Sequence, residues 1–191
     1  MKIGIAGGIG SGKSYVCQII RQMGFEVYDC DSAAKRLIRT SPEIKQQPTA
    51  LIGPEVYTDV DGEQVLNKAV VAKYLLSSEA HAKAIDRIVH PAVFKDFEES
   101  GLQWMESAIM FESGIYKLVD KVVAVVAPRE VRIQRVMQRD NISREKVLEW
   151  MKRQMDQKDL IRKANYVIVN DGDTDIDKQL NKIIRQCNKS F

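Results

Sequence analysis

Lys2-Ile3-Gly4-Ile5-Ala6-Gly7-Gly8-Ile9-Gly10-Ser11-Gly12-Lys13-Ser14 is the stretch whose reading decides the fold. Ile3 to Ala6 is a short apolar run that suits a buried strand. Gly7 to Ser14 then satisfies G-x-x-x-x-G-K-[ST], with Gly7, Gly12, Lys13 and Ser14 at the fixed positions. The spacing has a mechanism. Glycines let the chain wrap closely, so that successive backbone N–H groups point inward at phosphate oxygens. The helix that follows adds the positive end of its dipole. Lys13 is placed to reach the β- and γ-phosphates of a nucleoside triphosphate, and the Ser14 hydroxyl to ligate Mg²⁺. Helical spacing does follow: Val16, Ile19, Ile20 and Met23 share one face, and Gly24 is a natural stop.

Composition narrows the class. The 191 residues suffice for one α/β domain with a small subdomain or two. Hydrophobic residues make up 45% and charged residues 29%, which is ordinary for a globular protein. A net charge of +3 does not call for nucleic acid or a membrane surface. The three cysteines, Cys17, Cys30 and Cys187, form no C-x-x-C, so neither a disulfide framework nor a zinc site is indicated. With only His81 and His90, a histidine-rich metal centre is excluded. No apolar run approaches the roughly 18 residues of a membrane span, and a cytoplasmic protein with reduced thiols is expected.

Phe25 to Tyr28 reads as a second strand ending in Asp29-Cys30-Asp31. In α/β sheets ligands gather at the carboxyl ends of strands, so a carboxylate here can face the phosphate loop. One of the two aspartates is expected to cap a helix over Ser32 to Arg39. Thr40 to Pro54, with Pro42, Pro48, Gly53 and Pro54, is read as a looser entry to a subdomain. Asp59 to Gly62 is read as a turn; calcium is discounted, because Lys68 stands where a calcium loop needs Glu. Leu66 to Ile88 is helical. His90 precedes Pro91 and suits a structural role. Trp104 to Phe111 is read as a third strand with Glu112 at its end, and Val122 to Ala127 as a strand buried on both faces. Pro128 then opens a helix.

From 129 to 163 the chain carries eleven basic residues against six acidic ones, an excess larger than the net charge of the whole. Arg132, Arg135 and Arg139 share a helix face. Arg135 and Arg139 are singled out as guanidinium groups that neutralise a transferring phosphoryl group. Ser143 is expected to cap a helix to about Gln157. Tyr166 to Asn170 is the last strand, and Asp173 or Thr174 the cap of a final helix. The order is that of a P-loop α/β fold: a nucleoside-monophosphate-kinase-like parallel sheet core with helices on both faces, a helical substrate-binding insertion and a helical lid.

Six ordered elements carry a further resemblance: Gly7 to Ser14; Val27-Tyr28-Asp29-Cys30-Asp31; Ile88-Val89-His90-Pro91; Glu112 to Lys117; Gln134 to Asp140 with Ser143-Arg144-Glu145; and Asn170-Asp171-Gly172. Together they resemble the dephospho-coenzyme A kinases. The resemblance implies that ATP phosphorylates the ribose 3′-hydroxyl of dephospho-CoA, giving coenzyme A and ADP, with Mg²⁺ at Ser14. It implies that Gly8, Ile9, Gly10, Ser11, Gly12, Lys13, Ser14 and Tyr15 hold the nucleotide. Asp31 would orient the attacking hydroxyl, and Arg139, with Arg135, would meet the ATP phosphates. His90 and Glu112 would belong to the substrate site. A single kinase domain over 1–191 is implied, with core 1–30, 101–134 and 164–191, a CoA-binding insertion of about 31–100 and a lid of about 135–163. The chain departs from the family in three places: Tyr15 for Thr, Ala108-Ile109-Met110 for Pro-Leu-Leu, and Asn67 for Arg.

Two other readings compete with this one. A nucleoside monophosphate kinase would carry several arginines in the insertion, but Arg87 is the only one between Ser41 and Ser100. A non-catalytic nucleotide switch would need D-x-x-G beside a strand of the sheet, which is not present. The partner expected is therefore a small molecule.

Overall fold

A computed structural model describes residues 1–60 and 63–188. In chain order these form β1 (Ile3–Ala6), α1 (Lys13–Gln22), β2 (Val27–Asp29), α2 (Cys30–Thr40), α3 (Pro42–Ile52), β3 (Tyr57–Val60), β4 (Glu63–Leu66), α4 (Lys68–Ser77) and α5 (Glu79–Ser100). There follow β5 (Trp104–Ser107), β6 (Lys121–Val126), α6 (Arg129–Asp140), α7 (Arg144–Lys152), α8 (Gln157–Lys163), β7 (Tyr166–Val169) and α9 (Ile176–Asn188). The chain divides into two compact units. One comprises Met1–Tyr28 and the residues from Leu102 on; the other is Asp29–Gly101.

The first unit is built on a five-stranded sheet in the order β2-β5-β1-β6-β7. β1 is central because it is buried throughout, and it pairs in parallel with β5 (Ile3 opposite Trp104) and β6 (Ile3 opposite Lys121). β6 pairs in parallel with β7, Val123 opposite Tyr166. Parallel strands buried on both faces need near-continuous apolar sequence, and Val122 to Val126 supplies it. Ile5, Val16, Ile20, Val123, Ile168 and Leu180 form the heart of the core, joining the sheet to α1 and α9. A separate seam of Ile133, Val136 and Val147 joins α6 to α7.

The second unit is helical with one hairpin. Ser41 caps α3 and Pro42 opens it at the position where proline's missing N–H is harmless. Most of the segment from Thr40 to Pro54 is thus the helix Pro42–Ile52 with Pro48 inside it, not the loose stretch its prolines suggest. β3 and β4 pair antiparallel, Tyr57 opposite Leu66. Asp61 and Gly62 of the expected turn lie outside the described residues. Asn67, one of the three departures, caps α4 through its side chain to the Val70 N–H at 3.3 Å. Phe97 on α5 is fully buried in this unit, and Arg36 on α2 bonds Asp96 on α5 at 2.5 Å.

Several expected boundaries move, each for a local reason. β2 starts at Val27 rather than Phe25, whose ring instead packs 5.8 Å from that of Trp104. β5 stops at Ser107, where the Ser107 Oγ accepts from the Ile109 N–H and turns the chain. The helix from Ser143 ends at Lys152, and Asp156 starts another by accepting from the Lys158 N–H. At α9 it is Asp175, not Asp173 or Thr174, that accepts the N–H of Lys178. Asp171 engages the N–H groups of Asp173 and Thr174.

Candidate active site

The loop between β1 and α1 is shaped by its glycines. Gly10 and Gly12 take φ of 75° and 87°, a region that L side chains rarely adopt. Space forbids a side chain as well. A Cβ on Gly7 would lie 2.6 Å from the Val125 carbonyl, and one on Gly12 would strike the Asn170 carboxamide. α1 begins at Lys13 with no side-chain cap and no carboxylate in its first turn. Its leading N–H groups are therefore offered to an anion. The Ser11 Oγ, fully buried in the loop, has no hydrogen-bond partner among the described residues. Tyr15 is 54% exposed, so its large ring is turned out of the core.

The loop's outward groups are tied to other elements. Arg132 Nε donates to the Ile9 carbonyl at 2.9 Å, and the Ile9 N–H donates to Gln154 Oε1 at 2.7 Å. Asn170, at the end of β7, donates from Nδ2 to the Ser11 carbonyl at 3.0 Å. Arg135 donates to both the backbone and the side-chain oxygen of Asn170, at 3.0 and 3.3 Å. Arg135 therefore reaches the loop through Asn170. Arg139 forms a two-pronged pair with its neighbour Asp140 at 2.8 and 2.7 Å, which raises its pKa. Of the three arginines on this face of α6, Arg132 is the one whose hydrogen bond to a loop carbonyl is seen among the described residues. It is buried, and burial lowers its pKa; Asp156 counters that fall and Arg129 adds to it.

Two carboxylates lie by the loop. Ser14 Oγ is 3.4 Å from Glu106 Oε1, on β5. Mg²⁺ prefers oxygen ligands and binds through one or two carboxylates plus substrate phosphates and waters, so the pair Ser14 and Glu106 fits it. Among the described residues no group of three or more His, Cys, Asp or Glu could hold a metal by itself. Burial pushes the Cys17 thiol up, and the nearby Glu106 carboxylate does so further. Glu112 accepts from the Met155 N–H at 3.0 Å.

In the Asp29–Gly101 unit the two aspartates separate clearly. Asp29 is the N-cap of α2: its carboxylate accepts from the N–H groups of Asp31 and Ser32, both at 3.0 Å, and from Ser32 Oγ at 2.9 Å. Asp31 sits in the first turn with its side chain 84% exposed, 3.8 Å from Lys35. His90 lies 3.6 Å from Asp86 and stacks on Phe94.

Glu106, Arg132 and Gln154 are the residues that sequence reasoning did not select. A carboxylate inside an otherwise apolar strand was a readable signal for Glu106. Arg132 shares its helix face with Arg135 and Arg139, and the i, i+3, i+7 spacing does not tell the three apart. Nothing in the sequence marks Gln154.

The dephospho-CoA kinase family model matches residues 1–175. A dephospho-CoA kinase from Bacteroides fragilis is 38% identical over 195 residues, covering 96% of this chain and 91% of that protein. A Thermus thermophilus protein of known structure is 31% identical with a TM-score of 0.82, covering 97% and 96%. The structure of a dephospho-CoA kinase from Campylobacter jejuni shares the fold at 20% identity and a TM-score of 0.68, covering 100% and 99%.

Proposed function

The chain belongs to the dephospho-CoA kinase family, and from that premise we propose how its residues divide the reaction. The reaction is transfer of the γ-phosphoryl group of ATP to the ribose 3′-hydroxyl of dephospho-CoA. The loop Gly8 to Tyr15 and the uncapped start of α1 hold the ATP phosphates, with Lys13 as the loop's cation. The observation that carries this is the glycine-shaped loop running into a helix with no capping side chain.

Phosphoryl transfer passes through a loose transition state, so positioning and charge neutralisation supply most of the catalysis. Asp31 orients the attacking hydroxyl. Asp29 has taken the capping duty, which leaves the Asp31 carboxylate for the substrate. Arg139 leaves Asp140 to meet the phosphates, and Arg135 stands with it on α6. Ser14 and Glu106 would hold Mg²⁺; when bound, the ion neutralises phosphate charge. The unit Asp29–Gly101 is the CoA-binding insertion, with His90 shaping its site, and residues 135–163 form the lid. Glu112 fixes the lid backbone at Met155 and borders the substrate. No described helix is long and apolar enough to cross a membrane, and the cytoplasm is the compartment we assign.

The test is ADP release with ATP and Mg²⁺, comparing dephospho-CoA, AMP and adenosine as acceptors. Stimulation by dephospho-CoA alone is expected. Stimulation by AMP would make the enzyme a nucleotide kinase, and none by any acceptor would leave the loop as a binding device.

A further inference from the structure

Ile9 stands at the tip of the phosphate loop, and three of its groups are held from outside the loop. Its N–H donates to Gln154 and its carbonyl accepts from Arg132. Its side chain packs on the apolar seam of Ile133, Val136 and Val147, between α6 and α7. The next residue is pressed onto the same helix: a Cβ on Gly10 would lie 2.5 Å from the Arg132 carbonyl and 2.9 Å from Val136 Cγ2.

A peptide unit is rigid and trans, so its carbonyl and the following N–H point in opposite directions. Whatever holds the Ile9 carbonyl outward therefore aims the Gly10 N–H inward, where a phosphate-binding loop needs its donors. Asn170 does the same for the next alternate unit by holding the Ser11 carbonyl, which aims the Gly12 N–H. Arg132 is an unusual choice for such a hold. Burying a guanidinium carries a desolvation cost, and the two oxygens that accept from it, the Ile9 carbonyl and Gln157 Oε1, are both neutral.

We propose that Arg132 is a positioning residue for phosphoryl transfer. It acts through its hydrogen bond to the Ile9 carbonyl, with Gln154 fixing the N–H of the same residue. It orients the loop's donors and does not touch the phosphates. This rests on the reading of the loop as the ATP site.

The test compares Arg132→Met and Arg132→Gln. Gln carries its Nε2 at the place in the side chain where Arg carries Nε, so it can keep the bond while deleting the charge. Met deletes both. ADP affinity by calorimetry and KM for each substrate are the readouts. Arg132→Met is expected to weaken ADP and raise KM for ATP about tenfold, the scale of one hydrogen bond to a charged group, with KM for dephospho-CoA unchanged. Arg132→Gln is expected to restore both near to wild type, which a general loss of stability would not predict. Equal loss in the Met and Gln variants would overturn the proposal in favour of the charge. Wild-type ADP affinity in Arg132→Met would overturn it outright. If that variant does not fold, Gln154→Met removes the acceptor for the Ile9 N–H from a partly exposed site. It is expected to weaken ADP, and unchanged affinity there would overturn the two-sided hold. Failure of the wild-type protein to bind ADP would sink the ATP-site reading instead.

Discussion

Asp29 and Asp31 carry the same side chain two positions apart, and the backbone between them gives them different tasks. Asp29 spends its carboxylate on the first turn of α2, while Asp31 is left exposed. Asp31→Asn keeps the shape and removes the charge. It is expected to lower kcat at least about a hundredfold, the usual weight of a positioned acid or base, with ADP affinity unchanged. Undiminished turnover would remove Asp31 from the mechanism. Glu106 is testable separately from activity. Glu106→Gln is expected to raise the Mg²⁺ concentration needed to tighten ADP binding, while metal-free ADP affinity holds. Identical Mg²⁺ titrations of the two proteins would leave Glu106 as a core hydrogen-bonding group only. The Ser14–Glu106 contact is what a one-dimensional reading could not see, because 92 positions separate the two residues.

At the scale of elements, caps decide where helices start and therefore where side chains stand. Asp29→Ala removes three hydrogen bonds at the start of α2. The expected cost is about 1 kcal/mol by urea unfolding, together with a fall in kcat as Asp31 loses its fixed turn. The outer side of α6 and α7 carries exposed ion pairs, of which Arg144–Glu130 joins the two helices and the others lie along one helix. Arg144 grips Glu130 with both nitrogens at 2.7 Å, Arg139 grips Asp140, and Glu149 takes Lys146 and Arg153. These partners hold the carboxyls of Glu130, Asp140 and Glu149 below the ordinary range, and the backbone amide at the start of α7 does so for Glu145. A lowered folded pKa gives stability that is present above the ordinary carboxyl value and lost as pH falls through the lower one. Protection factors for amide exchange in residues 129–153 are therefore expected to fall below about pH 4, relative to those in β1 and β6. An equal fall in both regions would show that the outer pairs contribute nothing local, as is true of many exposed pairs. α3 shows the limit of pattern reading at this scale. Its two prolines argue against a helix, but Pro42 sits at the opening position and Ser41 supplies the cap.

For the molecule as a whole, a ligand that binds only the folded state stabilises it by mass action. ADP at a hundred times its Kd is expected to add about 2.7 kcal/mol to unfolding, with slowed amide exchange concentrated in residues 8–15. Protection centred elsewhere would move the nucleotide off the loop. The sequence by itself determined the parallel α/β core, the loop and its helix, and the family. Each of these is written in contiguous residues: the apolar run from Val122, the glycine spacing from Gly7, the helical face of Val16, Ile19 and Ile20. Local sterics and backbone hydrogen bonding act over a few positions, so a short window contains their cause. The tertiary structure alone decided which side chains brace that loop. Arg132, Gln154 and Asn170 lie 123, 145 and 159 positions from their loop partners, and Arg135 is hydrogen-bonded to Asn170 across 35. Which of several similar arginines touches Ile9 depends on how α6 rolls over the seam of Ile133, Val136 and Val147. That choice is made by packing between elements far apart in the chain, and no local pattern encodes it.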